Sequence, residues 1–259
     1  MRKLIKLAAL ALVLTSGASA AIAAERKPTV VLVHGAFAES ASWNGVMAVL
    51  RRDGYPVVAV ANPLRGVHSD AAYVAAVVKP IEGPVILVGH SYGGTVISEA
   101  AVGAENVKGL VYVAAFAPEI GESSLELTGK FPGSTLAPTL APPVPLPNGG
   151  QELYVRQDRF PAQFAADVPA DDAWLMAASQ RPATQAAFDE KATAAAWKTL
   201  PSWSIYGSAD LNIPPAALAF MADRAHARNV VVLPGASHLA MVSHPEAVAD
   251  LIETAANSR

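Results

Sequence analysis

Ser91 stands in Gly89-His90-Ser91-Tyr92-Gly93, a G-x-S-x-G run with Gly94 directly after it. An apolar segment at 84–88 precedes the run, and a helix-like stretch at 92–102 follows it. A serine between a buried strand and a helix is the setting of a nucleophile elbow, a sharp turn that lifts the hydroxyl above the sheet. Gly89 and Gly93 leave room where neighbouring backbone must come close. The N-terminus of the following helix favours negative charge that develops beside it. The bland alternative is a glycine-rich turn without chemistry, and the strand-to-helix context argues against it.

A serine hydroxyl needs a base within hydrogen-bond reach to attack at neutral pH. Six histidines are available. His34 and His90 lie inside motifs at strand ends and read as structural supports. His68 sits in an early loop, and His226 ends a helix. His238, in Pro234-Gly235-Ala236-Ser237-His238, follows the last strand, and loops at carboxyl strand ends form the active face of an open α/β sheet. His238 is the expected base, with His244 in reserve.

On an elbow scaffold the partners follow in the order serine, acid, histidine. Asp210, in Tyr206-Gly207-Ser208-Ala209-Asp210, ends the loop after a strand at 203–206 and is the acid expected to orient His238. Its alternative role is to cap the helix that starts near Pro214. The oxyanion of an acyl transfer also needs backbone donors. One is the N–H after the nucleophile, at Tyr92. The other falls within His34-Gly35-Ala36-Phe37, with Ala36 preferred over Phe37.

These residues need a scaffold. Continuous apolar runs at 29–33, 56–60, 84–88 and 107–113 read as strands buried on both faces of a parallel sheet. Helix-like stretches at 43–52, 70–79 and 92–102 lie between them. The alternation resumes with strands at 203–206 and 230–233 and helices at 214–226 and 245–256. The pattern predicts an α/β, doubly wound, mostly parallel sheet. From about 118 to 181 the rhythm breaks in a proline- and glycine-rich stretch, read as a cap inserted over the site. Trp174 and Met176 in that stretch read as cap core, with the pocket wall as the alternative.

Residues 1–24 have the layout of a secretory signal peptide. Arg2, Lys3 and Lys6 precede a short apolar run at 7–14, and Ala18-Ser19-Ala20 and Ala21-Ile22-Ala23 fit the cleavage pattern. The expectation is an exported, periplasmic or secreted domain at 25–259, with no stable membrane insertion once the signal is cleaved. An uncleaved anchor is the alternative. The 259 residues suffice for one domain, and 16% charged residues with 52% apolar ones exclude a disordered chain. A formal charge of −3 with no basic face gives no reason to expect nucleic acid. The absence of cysteine rules out a cysteine nucleophile and a cysteine-based zinc site.

Together, Val31-Leu32-Val33-His34-Gly35-Ala36, Gly89-His90-Ser91-Tyr92-Gly93-Gly94, Gly207-Ser208-Ala209-Asp210 and Gly235-Ala236-Ser237-His238-Leu239-Ala240-Met241 resemble the α/β-hydrolase superfamily. The closest branch is the one holding plant methylesterases and hydroxynitrile lyases. The resemblance implies a cofactor-free hydrolase with a mainly apolar pocket under a cap. Lyases of that branch tend to carry Thr in place of the Gly of the His-Gly pair, and Lys directly after the histidine. This chain has Gly35 and Leu239, so the expectation is hydrolysis of a small carboxylic ester. Two other readings stay open: a C–C lyase or perhydrolase on the same triad, and a silent ligand binder on the same fold. Oligomeric state is not legible.

Overall fold

The computed structural model describes residues 26–147 and 149–258. The proposed signal segment lies outside them. The first strand, β1 (Thr29–Val33), leads through a short 3-10 turn into α1 (Asn44–Arg52). Then come β2 (Val57–Val60), α2 (Val67–Val78), β3 (Val85–His90), α3 (Tyr92–Ala100) and β4 (Val107–Val113). All six residues of β3 are buried, as a continuous apolar run requires when helices cover both faces.

After β4 the chain leaves the sheet and returns only at Ser202. This excursion carries α4 (Ser124–Gly129), β5 (Val144–Pro145), β6 (Gln151–Leu153), α5 (Phe160–Phe164), α6 (Ala170–Ser179), β7 (Ala183–Thr184) and α7 (Gln185–Asp189). A reciprocal Ser123–Glu126 capping box starts α4. The short strands pair antiparallel in the order β5-β6-β7. The excursion runs past 181 because β7 adds the third strand of that small sheet.

The chain then forms β8 (Ser202–Gly207), α8 (Pro215–Arg224), β9 (Val230–Leu233), α9 (Ala240–Ser243) and α10 (Pro245–Asn257). The main sheet is six parallel strands in the order β2-β1-β3-β4-β8-β9. Helix α1 packs with α10 and α2 with α3, two separate pairs against the sheet. This is the doubly wound, parallel α/β sheet expected from the alternation of runs, and the architecture that the resemblance to α/β-hydrolases implies.

Register decides where the chemistry can sit. Val33 pairs with Gly89, His90 with Val113, and Gly207 with Leu233. The carboxyl ends of five strands therefore share one edge. The loops after them carry residues 34–37, 91, 114–117, 208–213 and 234–238. The strand order reverses between β1 and β3, the crevice where open α/β sheets bind ligands.

Candidate active site

Ser91 connects β3 to α3 with φ 52° and ψ −124°, a left-handed conformation that strains a residue other than glycine. The elbow is pinned from both sides. Ser91 N–H donates to the Val113 carbonyl at 3.3 Å, and its own carbonyl accepts from Gly94 N–H at 3.0 Å and Phe116 N–H at 3.1 Å. A Cβ on Gly89 would lie 2.6 Å from the Gly93 carbonyl oxygen, and one on Gly93 would collide with the Val33 carbonyl. The strain therefore sits on the serine, and the glycines permit the close approach around it.

The structure brings Ser91, His238 and Asp210 together. Ser91 Oγ lies 2.9 Å from Nε2 of His238, and Nδ1 of the same ring lies 2.6 Å from Oδ2 of Asp210. The carboxylate can only accept, so Nδ1 carries the proton and Nε2 presents a lone pair to the serine hydroxyl. The other carboxylate oxygen of Asp210 accepts N–H bonds from Asn212 at 2.8 Å and Ile213 at 3.0 Å. His238 and Asp210 are almost wholly buried, which strengthens each of these bonds. The arrangement can withdraw the serine proton and stabilise the resulting imidazolium.

The other histidines lie elsewhere or play supporting parts. His34 donates Nδ1–H to the Gly35 carbonyl at 2.9 Å and accepts Asn62 N–H on Nε2 at 3.1 Å. Burial pushes its imidazole down to about 4, so it stays neutral. His90 donates Nε2–H to the His238 carbonyl at 3.2 Å, and burial with the neighbouring His238 holds it well below the usual range. His244, the reserve base, bonds Ser243 Oγ at 2.9 Å and faces Asp167 at 3.6 Å, away from Ser91. His68 pairs with Glu99 on the surface.

The two expected oxyanion donors differ from their neighbour Phe37. Phe37 N–H is already committed to the Arg181 carbonyl at 3.0 Å. Ala36 N–H has no acceptor among the described residues. Tyr92 opens α3, where a backbone N–H has no partner within the helix. Burial pushes the Tyr92 hydroxyl far up, and it donates to buried Asp70 at 2.9 Å, anchoring the side chain below the elbow.

A cavity of about 150 Å³ opens above Ser91 and His238. Phe37, Phe164, Phe188, Leu136, Leu140 and Ile213 form most of its apolar wall, with Thr128, Ser134, Gln185 and Asn212 as polar exceptions. Among the described residues, no Asp, Glu, Lys or Arg lines it. Phe164 stands edge-on to His238 with ring centroids 4.8 Å apart. A larger crevice of about 320 Å³, between α6 and the start of α1, touches neither Ser91 nor His238. Met176 faces that crevice and packs on the core, while Trp174 is 64% exposed, so Trp174 is neither cap core nor pocket wall. Sequence reasoning missed Phe164, Phe188, Gln163 and Asn212. Only the aromatic character of the two phenylalanines, inside a stretch without periodicity, hinted at a buried wall.

Comparison with known proteins identifies the family and the fold. A sequence profile described as "Alpha/beta hydrolase family" matches residues 30–251. The chain is 28% identical over 261 residues to alpha/beta hydrolase nvfD of Aspergillus novofumigatus, covering 89% of this chain and 97% of the relative. It is 31% identical over 157 residues to a pyrethroid hydrolase of Sphingobium wenxiniae, covering 55% of this chain and 56% of the relative. Among solved structures, polyneuridine aldehyde esterase superposes with a TM-score of 0.76 at 19% identity, over 88% of this chain and 98% of that one.

Proposed function

The chain belongs to the alpha/beta hydrolase family, and on that premise we propose that it is a serine esterase acting on a small, uncharged carboxylic ester. The observation that carries the reading is the continuous contact from Ser91 through His238 to Asp210, at 2.9 Å and 2.6 Å, on the floor of an apolar cavity. Ser91 attacks the ester carbonyl while Nε2 of His238 takes its proton. Asp210 holds the ring and stabilises its positive charge. The N–H groups of Ala36 and Tyr92 receive the developing oxyanion. His238 then returns the proton to the leaving alcohol. It next activates water, which releases the acid from the acyl-enzyme.

Two features favour hydrolysis over carbon–carbon lysis. The residue after His238 is the fully buried Leu239, which offers no charge to a cyanide leaving group. Position 35 has no room for threonine, because a Cβ there would lie 2.6 Å from Ser91 Cβ. The lack of charged residues in the wall supports a neutral substrate, since an unpaired ion buried there would be heavily penalised. The sequence relatives carry hydrolase names, which supports hydrolysis over lysis. We place the enzyme outside the cytoplasm because residues 1–24 have the layout of an export signal.

Turnover of p-nitrophenyl acetate tests the reading. The wild type should hydrolyse it, and Ser91→Ala should retain no activity above background. A folded wild type that turns over no short ester, or releases cyanide from mandelonitrile instead, would refute it.

A further inference from the structure

The geometry points to Gln163 as a positioning residue that ties the wall of the cavity to the carboxylate of Asp210. The inference rests on the esterase reading above.

Gln163 lies on α5, inside the excursion, and is 5% exposed. Every polar atom of its amide has a partner outside that helix. Its Oε1 accepts the Thr135 hydroxyl at 2.9 Å, and its Nε2 donates to the Leu211 carbonyl at 2.9 Å and to Asn212 Oδ1 at 3.1 Å. Asn212 replies with its own amide, donating to the Gln163 carbonyl at 3.2 Å. The two residues are thus bonded in both directions, and Asn212 N–H holds Oδ1 of Asp210.

The other end of the network reaches the cavity. Thr135 lies between Ser134 and Leu136, which both line it, and Thr135 N–H donates to the same Leu211 carbonyl at 2.9 Å. Hydrogen bonds therefore run from Thr135, between two wall residues, through Gln163, Asn212, Asp210 and His238 to Ser91. The next residue on α5, Phe164, sets its ring against His238. Two successive residues of one short helix address both partners of the serine. A buried, fully satisfied amide network is rigid, and reaction geometry is sensitive to small shifts in such groups. The excursion thereby holds Asp210 in place as well as shaping the cavity above it.

Steady-state kinetics on the full chain with p-nitrophenyl acetate test this, using a matched control. Gln180 is also a buried glutamine of the excursion, with three hydrogen bonds, to both backbone groups of Val155 and to the Ala177 carbonyl, none of them near Asp210. Gln163→Leu should lower kcat by about ten- to a hundredfold with KM within about twofold, the pattern of lost transition-state geometry. Gln180→Leu should leave kcat within about twofold even where it lowers the melting temperature as much. In an Asp210→Asn background, Gln163→Leu should add little further loss. If Gln163→Leu does not fold, Thr135→Val, which removes one hydroxyl, should give the same split with smaller amplitude. Unchanged kcat in folded Gln163→Leu or Thr135→Val, or equal kcat losses in the two glutamine variants, would overturn the inference while leaving the esterase reading intact. A wild type with no turnover and no label on Ser91 would remove both.

Discussion

Gly35 presses its bare Cα against the elbow serine: a Cβ at position 35 would lie 2.6 Å from Ser91 Cβ and 2.7 Å from the His90 carbonyl oxygen. Both neighbours are held by the sheet and cannot retreat. Gly35→Ala should destabilise the fold by about 1–3 kcal/mol, as overpacking does, and displace Ser91 from His238. Denaturant unfolding and the rate of covalent labelling at Ser91 should fall together. A variant that labels at the wild-type rate would show that the elbow has slack the geometry denies.

Stability should depend on pH through His34. Burial lowers its pKa from 6.5 to about 4, so between these values the unfolded chain binds a proton that the folded chain does not. Its contribution is complete above pH 6.5, is lost as pH falls towards 4, and changes no further below that. The loss is at most about 3 kcal/mol, from 1.4 kcal/mol per pKa unit. The difference in urea midpoint between pH 7.5 and pH 5 should shrink in His34→Gln. An unchanged difference would mean that His34 carries no such linkage.

Cavity length should respond to Phe188. Its ring stacks on Phe37 with centroids 6.1 Å apart and closes one side of the space above Ser91. Phe188→Ala should raise kcat/KM for p-nitrophenyl hexanoate relative to the acetate by about tenfold, the low end of what one methylene contributes in an apolar pocket. A constant ratio across chain lengths would place the acyl group elsewhere.

The scaffold was legible because its signals are local. Strands β1, β4 and β9 match their apolar runs: β1 is buried on both faces, as a continuous apolar run requires, whereas β9 is the edge strand and leaves Val230 and Val232 exposed. Ser91, Asp210 and His238 were legible because each sits at the end of such a run, and parallel register gathers those ends on one edge. The excursion was not legible. Strands β5 and β7 are two residues each, too short for alternation to register, and their pairing with β6 is set by contacts across the fold. Gln163 was invisible for the same reason. A glutamine on a five-residue helix looks like surface, and its partners lie 28 and 49 residues away. Trp174 misled in the opposite direction, as a large apolar residue left 64% exposed on α6.

The central claim is that His238, oriented by Asp210, makes Ser91 a nucleophile. Mass spectrometry of the protein after treatment with a fluorophosphonate tests it most directly. The account predicts a single adduct on the peptide carrying Ser91, formed in the wild type and slowed by up to about four orders of magnitude in Asp210→Asn, where the histidine tautomer is no longer enforced. An adduct on another residue, or labelling of Asp210→Asn at the wild-type rate, would contradict it.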